Sequence, residues 1–207
     1  MTDKSPVITI SRQLGSGGAY IGQQLASKLK ILYVDREIIS QAANQLSVLE
    51  EDLESRDEKI PSFWQSFSQL GVFNSPDAYI PPQIFVPTGR ELFKVEAQII
   101  RRIANERSVV IIGRCGSHVL RARSNHTSVF LHGDLDFRRG RVQELYNVSP
   151  EEATKMIALS DSERARYHHA LTGKEWTDAK QYDLSINTSK IGVEKSTELI
   201  LQYLELV

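Results

Sequence analysis

A chain of 207 residues, 41% hydrophobic and 25% charged, can bury a full core and has the make-up of a globular enzyme, one domain with room for an insert. A net charge of −1 excludes a global field for nucleic acid or a membrane surface, so any anion site must be local. The single cysteine, Cys115, excludes a disulfide framework; no apolar run reaches membrane-spanning length, and Met1-Thr2-Asp3-Lys4 does not read as a signal peptide, so a cytoplasmic location is expected.

Val7–Ile10, β-branched and halted by glycines, predicts a buried strand. Ile21, Leu25 and Leu29 then recur at helical spacing from Gly18. Ile31–Val34 predicts a second strand, and Asp35 caps a helix carrying Ile38, Ile39 and Ala42. Residues 48–87 begin acidic and end rich in aromatics and proline, too long for a simple connection. They read as an insert on the substrate side or, equally, as a dimer-contact arm, so a homodimer is allowed. Thr88-x-x-Glu91 is a capping box before a helix through Ile99, Ile100 and Ile103. Val109–Ile112, Val129–Leu131 and Leu184–Ile186 predict three more strands, continuous apolar runs as in a sheet covered on both faces. Asp134 starts one further helix. Ser149-Pro150-Glu151-Glu152 starts another, charged, over roughly 149–176, and Val193, Ile200, Leu201 and Leu204 form the stripe of the last. The alternation predicts a doubly wound α/β domain.

In such a sheet ligands bind at the carboxyl ends of the strands, next to the first strand–helix turn. There Gly15, Ser16, Gly17, Gly18 and Ala19 can turn successive backbone N–H groups towards a phosphate, aided by the helix N-terminus. The plain alternative is a glycine-rich turn without a ligand. Set against G-x-x-x-x-G-K-[ST], Gly17 takes the last glycine, Gly18 the lysine position and Ala19 the hydroxyl position. The backbone cradle is kept and its cation and metal-binding hydroxyl are not. Arg12 is the nearest replacement cation, able to grip phosphate bidentately; its alternative is a strand-end surface arginine.

Six segments in order, S-R-Q-L-G-S-G-G-A-Y-I-G (11–22), Y-V-D-R-E-I-I (33–39), V-V-I-I-G-R-C (109–115), D-S-E-R-A-R-Y (161–167), T-G-K-E-W (172–176) and Y-D-L-S-I-N-T-S (182–189), together resemble the cytidylate kinase-like family, a branch of the P-loop nucleoside monophosphate kinases. The resemblance implies a three-layer α/β/α fold on a five-stranded parallel sheet, with a core at 1–47, 88–148 and 177–207, a monophosphate-binding insert at 48–87 and a helical lid at 149–176. It implies ATP with Mg²⁺ as donor and phosphoryl transfer to a nucleoside monophosphate, CMP by analogy. Gly113-Arg114 match the family's Gly-Arg-Asp after the third strand, with Cys115 in place of the aspartate and Ile112 in place of an acid before it. Asp161, Arg164 and Ala165 match an Asp-x-x-Arg-Ala that addresses the monophosphate. Asp35 and Arg36 follow the second strand where relatives place an acid for substrate or metal; the helix-cap role alone also accounts for Asp35.

Phosphoryl transfer needs positioning and charge neutralisation more than covalent chemistry. Candidate catalytic cations are therefore Arg12, Arg138, Arg141 and Arg164, with Arg138 also on the donor phosphates and Asp35, Arg36, Arg114, Asp161 and Arg164 on the acceptor. Their alternative is solvation, or pairing with Asp136, Glu144 and Glu163. No residues are assigned as metal ligands. His132 and the pair His168-His169 lack a ligand-spaced partner, and the pair is read as surface residues. Lys174 and Trp176 are candidates to close over the nucleotide, and Tyr182-Asp183 to position the fifth strand. Two other functions are weighed: a nucleotide sensor without catalysis, motivated by the missing lysine and acids, and a kinase for a non-nucleotide metabolite.

Overall fold

The computed structural model describes residues 6–35, Ile39 and 90–207, the side chains of 90 and 91 excepted. The expected helix after Asp35 (Ile39 aside), Arg36, the 48–87 segment and Thr88 of the capping box lie outside the described residues. Five strands, β1 (Val7–Arg12), β2 (Leu32–Val34), β3 (Val109–Ile112), β4 (His126–His132) and β5 (Leu184–Asn187), form one sheet in the order β2-β3-β1-β4-β5. All four pairings are parallel, with Val7 opposite Val109 on one side of β1 and His126 on the other. The helices are α1 (Gly18–Leu29), α2 (Arg90–Glu106), the single turn α3 (Gly116–Val119), α4 (Leu135–Tyr146), α5 (Pro150–Thr172) and α6 (Thr188–Leu206).

The continuous apolar runs of β1 and β3 have a direct cause. Val7, Val109 and Ile111 face Ile99, Ile100 and Ile103 of α2, while Ile8, Ile10, Val110 and Ile112 face Ile21 and Leu25 of α1 and Val193 and Ile200 of α6. Side chains alternate across a strand, so a sheet covered by helices on both faces needs an apolar residue at every position. The result is the expected three-layer α/β/α arrangement.

β1 continues two residues past the glycine-bounded run, to Arg12, and β4 is twice as long as its apolar centre. Polar Ser11 and Thr127 remain in strand because the parallel ladder, not hydrophobicity, holds the ends. α5 starts as its residues dictate: Ser149 accepts from Glu152 N–H, Glu152 returns the bond to Ser149 N–H, and Pro150 takes the first turn. It ends on Gly173 at positive φ, whose N–H donates to His169 O at 2.8 Å. Asp134 occupies the cap position of α4, but its side chain makes no cap bond; the carboxylate pairs instead with Lys190 at 3.4 Å. Asp183 fixes β5, its carboxylate accepting from both N–H and hydroxyl of Ser128 at 2.7 Å.

Candidate functional site

β1 lies at the centre of the sheet with β3 and β4 on either side, so the loops after β1 and β3 open onto one crevice. The loop after β1 bends through Gly15 (φ 82°) and Gly17 (φ 85°), conformations that side-chain-bearing residues adopt only with strain, and α1 opens at Gly18 with no acidic residue in its first turn. A Cβ on Gly15 would lie 2.6 Å from the carbonyl oxygen of Arg138. The loop is thus pressed against the start of α4.

Arg138 is what holds it there. Its Nε donates to Gly133 O at 2.9 Å and its Nη1 to Leu14 O at 3.2 Å and to Asp161 Oδ2 at 2.6 Å. Asp161 completes the frame by accepting from Leu14 N–H at 2.9 Å through Oδ1, which also lies 3.5 Å from Arg164 Nη1. Two residues expected to touch nucleotide therefore shape the loop from behind. Ser16 also turns inward, its hydroxyl donating to Gln13 O at 2.8 Å.

Arg12 reaches across the mouth of the crevice. A Cβ on Gly18 would meet Arg12 Cγ at 2.6 Å, and one on Gly113 would collide with Arg12 Nη1. The arginine stem thus fills the space that a residue larger than glycine would need at the lysine position, and its head sits over the end of β3. Arg141 approaches the loop from α4, its Nη2 3.8 Å from a Cβ built on Gly17, and stacks on Phe137 at 5.8 Å from the ring centre. Arg139 is a half-buried partner of the exposed Asp136 at 2.7 Å, and Arg166 is exposed.

The turn after β3 carries positive φ at three consecutive residues, Gly113 (78°), Arg114 (50°) and Cys115 (51°). Only glycine adopts this freely, and the two others are strained by roughly 1–2 kcal/mol each. The curl delivers Arg114 into a buried network that the sequence did not suggest. Arg114 Nε lies 3.2 Å from Glu96 Oε1, with side-chain exposures of 7% and 0%. The Tyr167 hydroxyl donates to Glu96 Oε2 at 3.0 Å, and the guanidinium stacks on the Tyr167 ring at 5.5 Å. Burial first, then the Glu96 charge, pushes the Tyr167 hydroxyl well above its usual range, so it stays a donor. Burial likewise pushes the Cys115 thiol up to about 12.

One pocket brings Arg12, Arg114, Arg164, Glu163, Tyr167 and His168 together. Its α5 wall is one helical face, since positions 160, 164 and 167–168 recur every turn. A signal for the missed residues was present. Glu96 falls on the same apolar stripe as Ile99, Ile100 and Ile103, where a carboxylate must have a partner. Tyr167 and His168 fall one turn beyond Arg164. The histidine pair read as surface splits: His169 is exposed, whereas His168 is 3% exposed. Trp176 lines the pocket and packs on Phe130, and Lys174 is exposed.

Within 15–19 the Ser16 N–H is spent on Gln13 O at 3.3 Å, so the part of the cradle that fits a polyphosphate is the other amides at the N-terminus of α1, with Arg141 as a neighbouring cation. Among the described residues no three His, Cys, Asp or Glu side chains converge as a metal cage. Mg²⁺ nevertheless fits the arrangement, because it is commonly held by substrate phosphates, waters and one or two carboxylates, and Asp35 follows β2 within electrostatic reach of Tyr33, as Arg12 is.

A parallel sheet in the order β2-β3-β1-β4-β5, with a glycine loop opening α1, defines a P-loop kinase fold. A model of the cytidylate kinase-like family matches residues 7–190, and the chain belongs to that family. It is 24% identical over 111 residues to a cytidylate kinase of Sulfurisphaera tokodaii, covering 54% of this chain and 61% of that one. A cytidylate kinase of Saccharolobus islandicus is 26% identical over 113 residues, 55% and 59% of the two chains. The chain thus spans about three-fifths of the length of these curated relatives. Among solved structures, an uncharacterized protein of Eubacterium ventriosum superposes with TM-score 0.72 at 25% identity over 97% of this chain and 98% of that one. A shikimate kinase of Bacteroides thetaiotaomicron has TM-score 0.52 at 14% identity, with the same coverages, and supports the fold. No helix among the described residues is long and apolar enough to cross a membrane.

Proposed function

We propose that the protein is an ATP-dependent phosphotransferase acting on a nucleoside monophosphate, CMP or dCMP foremost. The observation that carries this reading is the meeting of three guanidinium groups, Arg12, Arg114 and Arg164, in one pocket at the ends of β1 and β3, with the Arg12 stem packed against Gly18 of the glycine loop. Family membership supports the same class of reaction.

In this reading the amides of Gly15, Gly17, Gly18 and Ala19 and the N-terminus of α1 hold the donor's phosphates, with Arg141 neutralising them from the α4 side. When bound, Mg²⁺ supplies charge neutralisation between phosphate oxygens. Arg12, lying between the loop and Gly113, spans the donor and acceptor sides and stabilises the charge spread during transfer. Arg114 and Arg164 hold the acceptor's phosphate, and Asp35 and Arg36 complete that side. Arg138 and Asp161 act by fixing the loop that presents the amides. α5 serves as lid and 48–87 as the insert, and together they exclude water that would hydrolyse ATP.

The test is ADP release from ATP and Mg²⁺ with CMP, dCMP, UMP and AMP in turn. CMP or dCMP should stimulate it, and Arg114→Ala should abolish the stimulation. Because alanine leaves Glu96 buried without its cation, Arg114→Lys serves as the folded control, retaining charge but losing the fork. No stimulation by any nucleoside monophosphate counts against the proposal. One observation favours a second reading, a non-catalytic nucleotide sensor: Arg138 and Asp161 are engaged with the loop, and the lysine position is filled by the Arg12 stem. A sensor gains thermal stability with ATP yet shows no turnover at any Mg²⁺ concentration. A metabolite kinase would show ADP release with a non-nucleotide acceptor in the same assay.

A further inference from the structure

The pocket holds a buried atom that none of the roles above uses. His168 projects from the pocket face of α5, one turn beyond Arg164, and is 3% exposed. Its Nδ1 lies 3.1 Å from the carbonyl oxygen of Lys174. A carbonyl only accepts, so Nδ1 must carry the proton and Nε2 a lone pair. The nearby Thr172 hydroxyl, 3.1 Å from Nδ1, donates to His168 O at 2.7 Å and receives Lys174 N–H, which leaves the ring tautomer to the Lys174 carbonyl. Nε2 is buried and has no hydrogen-bond partner among the described residues.

Such an atom is rare in a folded protein, and the cost of its desolvation is recovered when a donor arrives. The neighbouring groups Arg12, Arg114 and Arg164 are donors only, so they can meet a ligand's acceptors, anionic oxygens foremost, and none of its donors. Glu163, the pocket's carboxylate, is partly exposed and therefore hydrated. We infer that His168 Nε2 accepts a hydrogen bond from an N–H or O–H of the phosphate-bearing acceptor, and so selects anions that carry such a donor. Burial lowers the ring's proton affinity, which keeps it neutral and able to accept. The ligand's identity rests on the kinase reading; the chemistry of the atom does not. In CMP the donor is either the exocyclic amino group of the base or a ribose hydroxyl.

The test pairs ring ¹⁵N NMR with calorimetric titration of CMP, dCMP and UMP. In the free protein His168 should be protonated at Nδ1 alone, and its Nε2 resonance should move when CMP binds. His168→Asn places an amide near Nδ1 and deletes the Nε2 acceptor, whereas His168→Gln places one near Nε2. The first should weaken CMP roughly tenfold while leaving ATP within about twofold, and the second should restore most of the loss. If the His168→Asn effect vanishes with dCMP the donor is the 2′-hydroxyl; if it vanishes with UMP it is the cytosine amino group. A site that leaves a buried polar group unpaired rejects the analogue lacking the donor, a signature that a merely structural histidine does not give. Nε2 found protonated in the free protein, or CMP bound by His168→Asn as tightly as by the parent, overturns the inference. If no nucleoside monophosphate binds or releases ADP, the kinase reading falls, and the tautomer measurement still decides the acceptor.

Discussion

Glu96 and Arg114 face each other at 3.2 Å with both side chains withdrawn from water, one from α2 and the other from the curl after β3. The pair joins the helix layer on one face of the sheet to the mouth of the crevice, and Tyr167 of α5 closes it from above. Removing one member leaves the other charged and buried. Glu96→Ala is therefore expected to destabilise the protein by about 3–5 kcal/mol, and Glu96→Leu combined with Arg114→Met to recover most of it. Urea denaturation followed by circular dichroism measures both; a loss for Glu96→Ala under about 1 kcal/mol shows that the pair is not isolated from solvent.

Arg138 and Asp161 form one frame behind the glycine loop, at 2.6 Å. Asp161→Ala should cost about 2 kcal/mol of stability and raise the KM for ATP, since Leu14 N–H and Arg138 lose a charged acceptor. Arg138→Ala should do the same, and the double variant should cost less than the sum of the two, because the 2.6 Å ion pair is lost in each. Strictly additive losses would show that the two residues are not coupled through this ion pair.

Gly18 cannot take back the lysine that its position suggests. Gly18→Lys drives a Cβ into the Arg12 stem and should destabilise by about 1–3 kcal/mol. Arg12→Ala opens that space, so Gly18→Lys with Arg12→Ala should be more stable than Gly18→Lys alone. Thermal melts of the three proteins decide it, and identical melting for parent and Gly18→Lys would show that the stem does not fill the position.

Burial is the leading cause that lowers the proton affinity of His118, His126 and His168 below the ordinary 6.5. Between the lowered folded values and 6.5 the unfolded chain binds more protons, so stability rises with pH. It is complete above 6.5 and is lost as pH falls towards the folded values. Melting temperature should drop between about pH 7 and pH 5, above the range where carboxylates titrate. His168→Gln should flatten that slope, and an unchanged slope in that variant would show that His168 does not contribute.

The fold was legible because its signals are local. Apolar runs of β1 and β3, the Ser149–Glu152 box and the Val193–Ile200 stripe each state their own element. The site was legible only as a glycine loop and a list of charged residues. Sequence singled out Arg138 as a candidate cation, yet it could not say that Arg138 would spend its donors on Leu14 and Gly133, 124 and 5 residues away in the chain. Glu96 and Arg114 are remote in sequence and separated by a whole strand, so their pairing is a product of topology alone. Glu96 itself was visible as a carboxylate on an apolar stripe, the kind of local contradiction that marks a buried site.

The curl after β3 has a practical corollary at its third residue. Cys115 is the chain's one thiol, it is buried, and its pKa of about 12 keeps it protonated at neutral pH. An alkylating reagent reacts with thiolate, so modification must await separation of α3 from the end of β3. The rate of alkylation thus times the spontaneous opening of this corner in the intact protein, with no label to introduce.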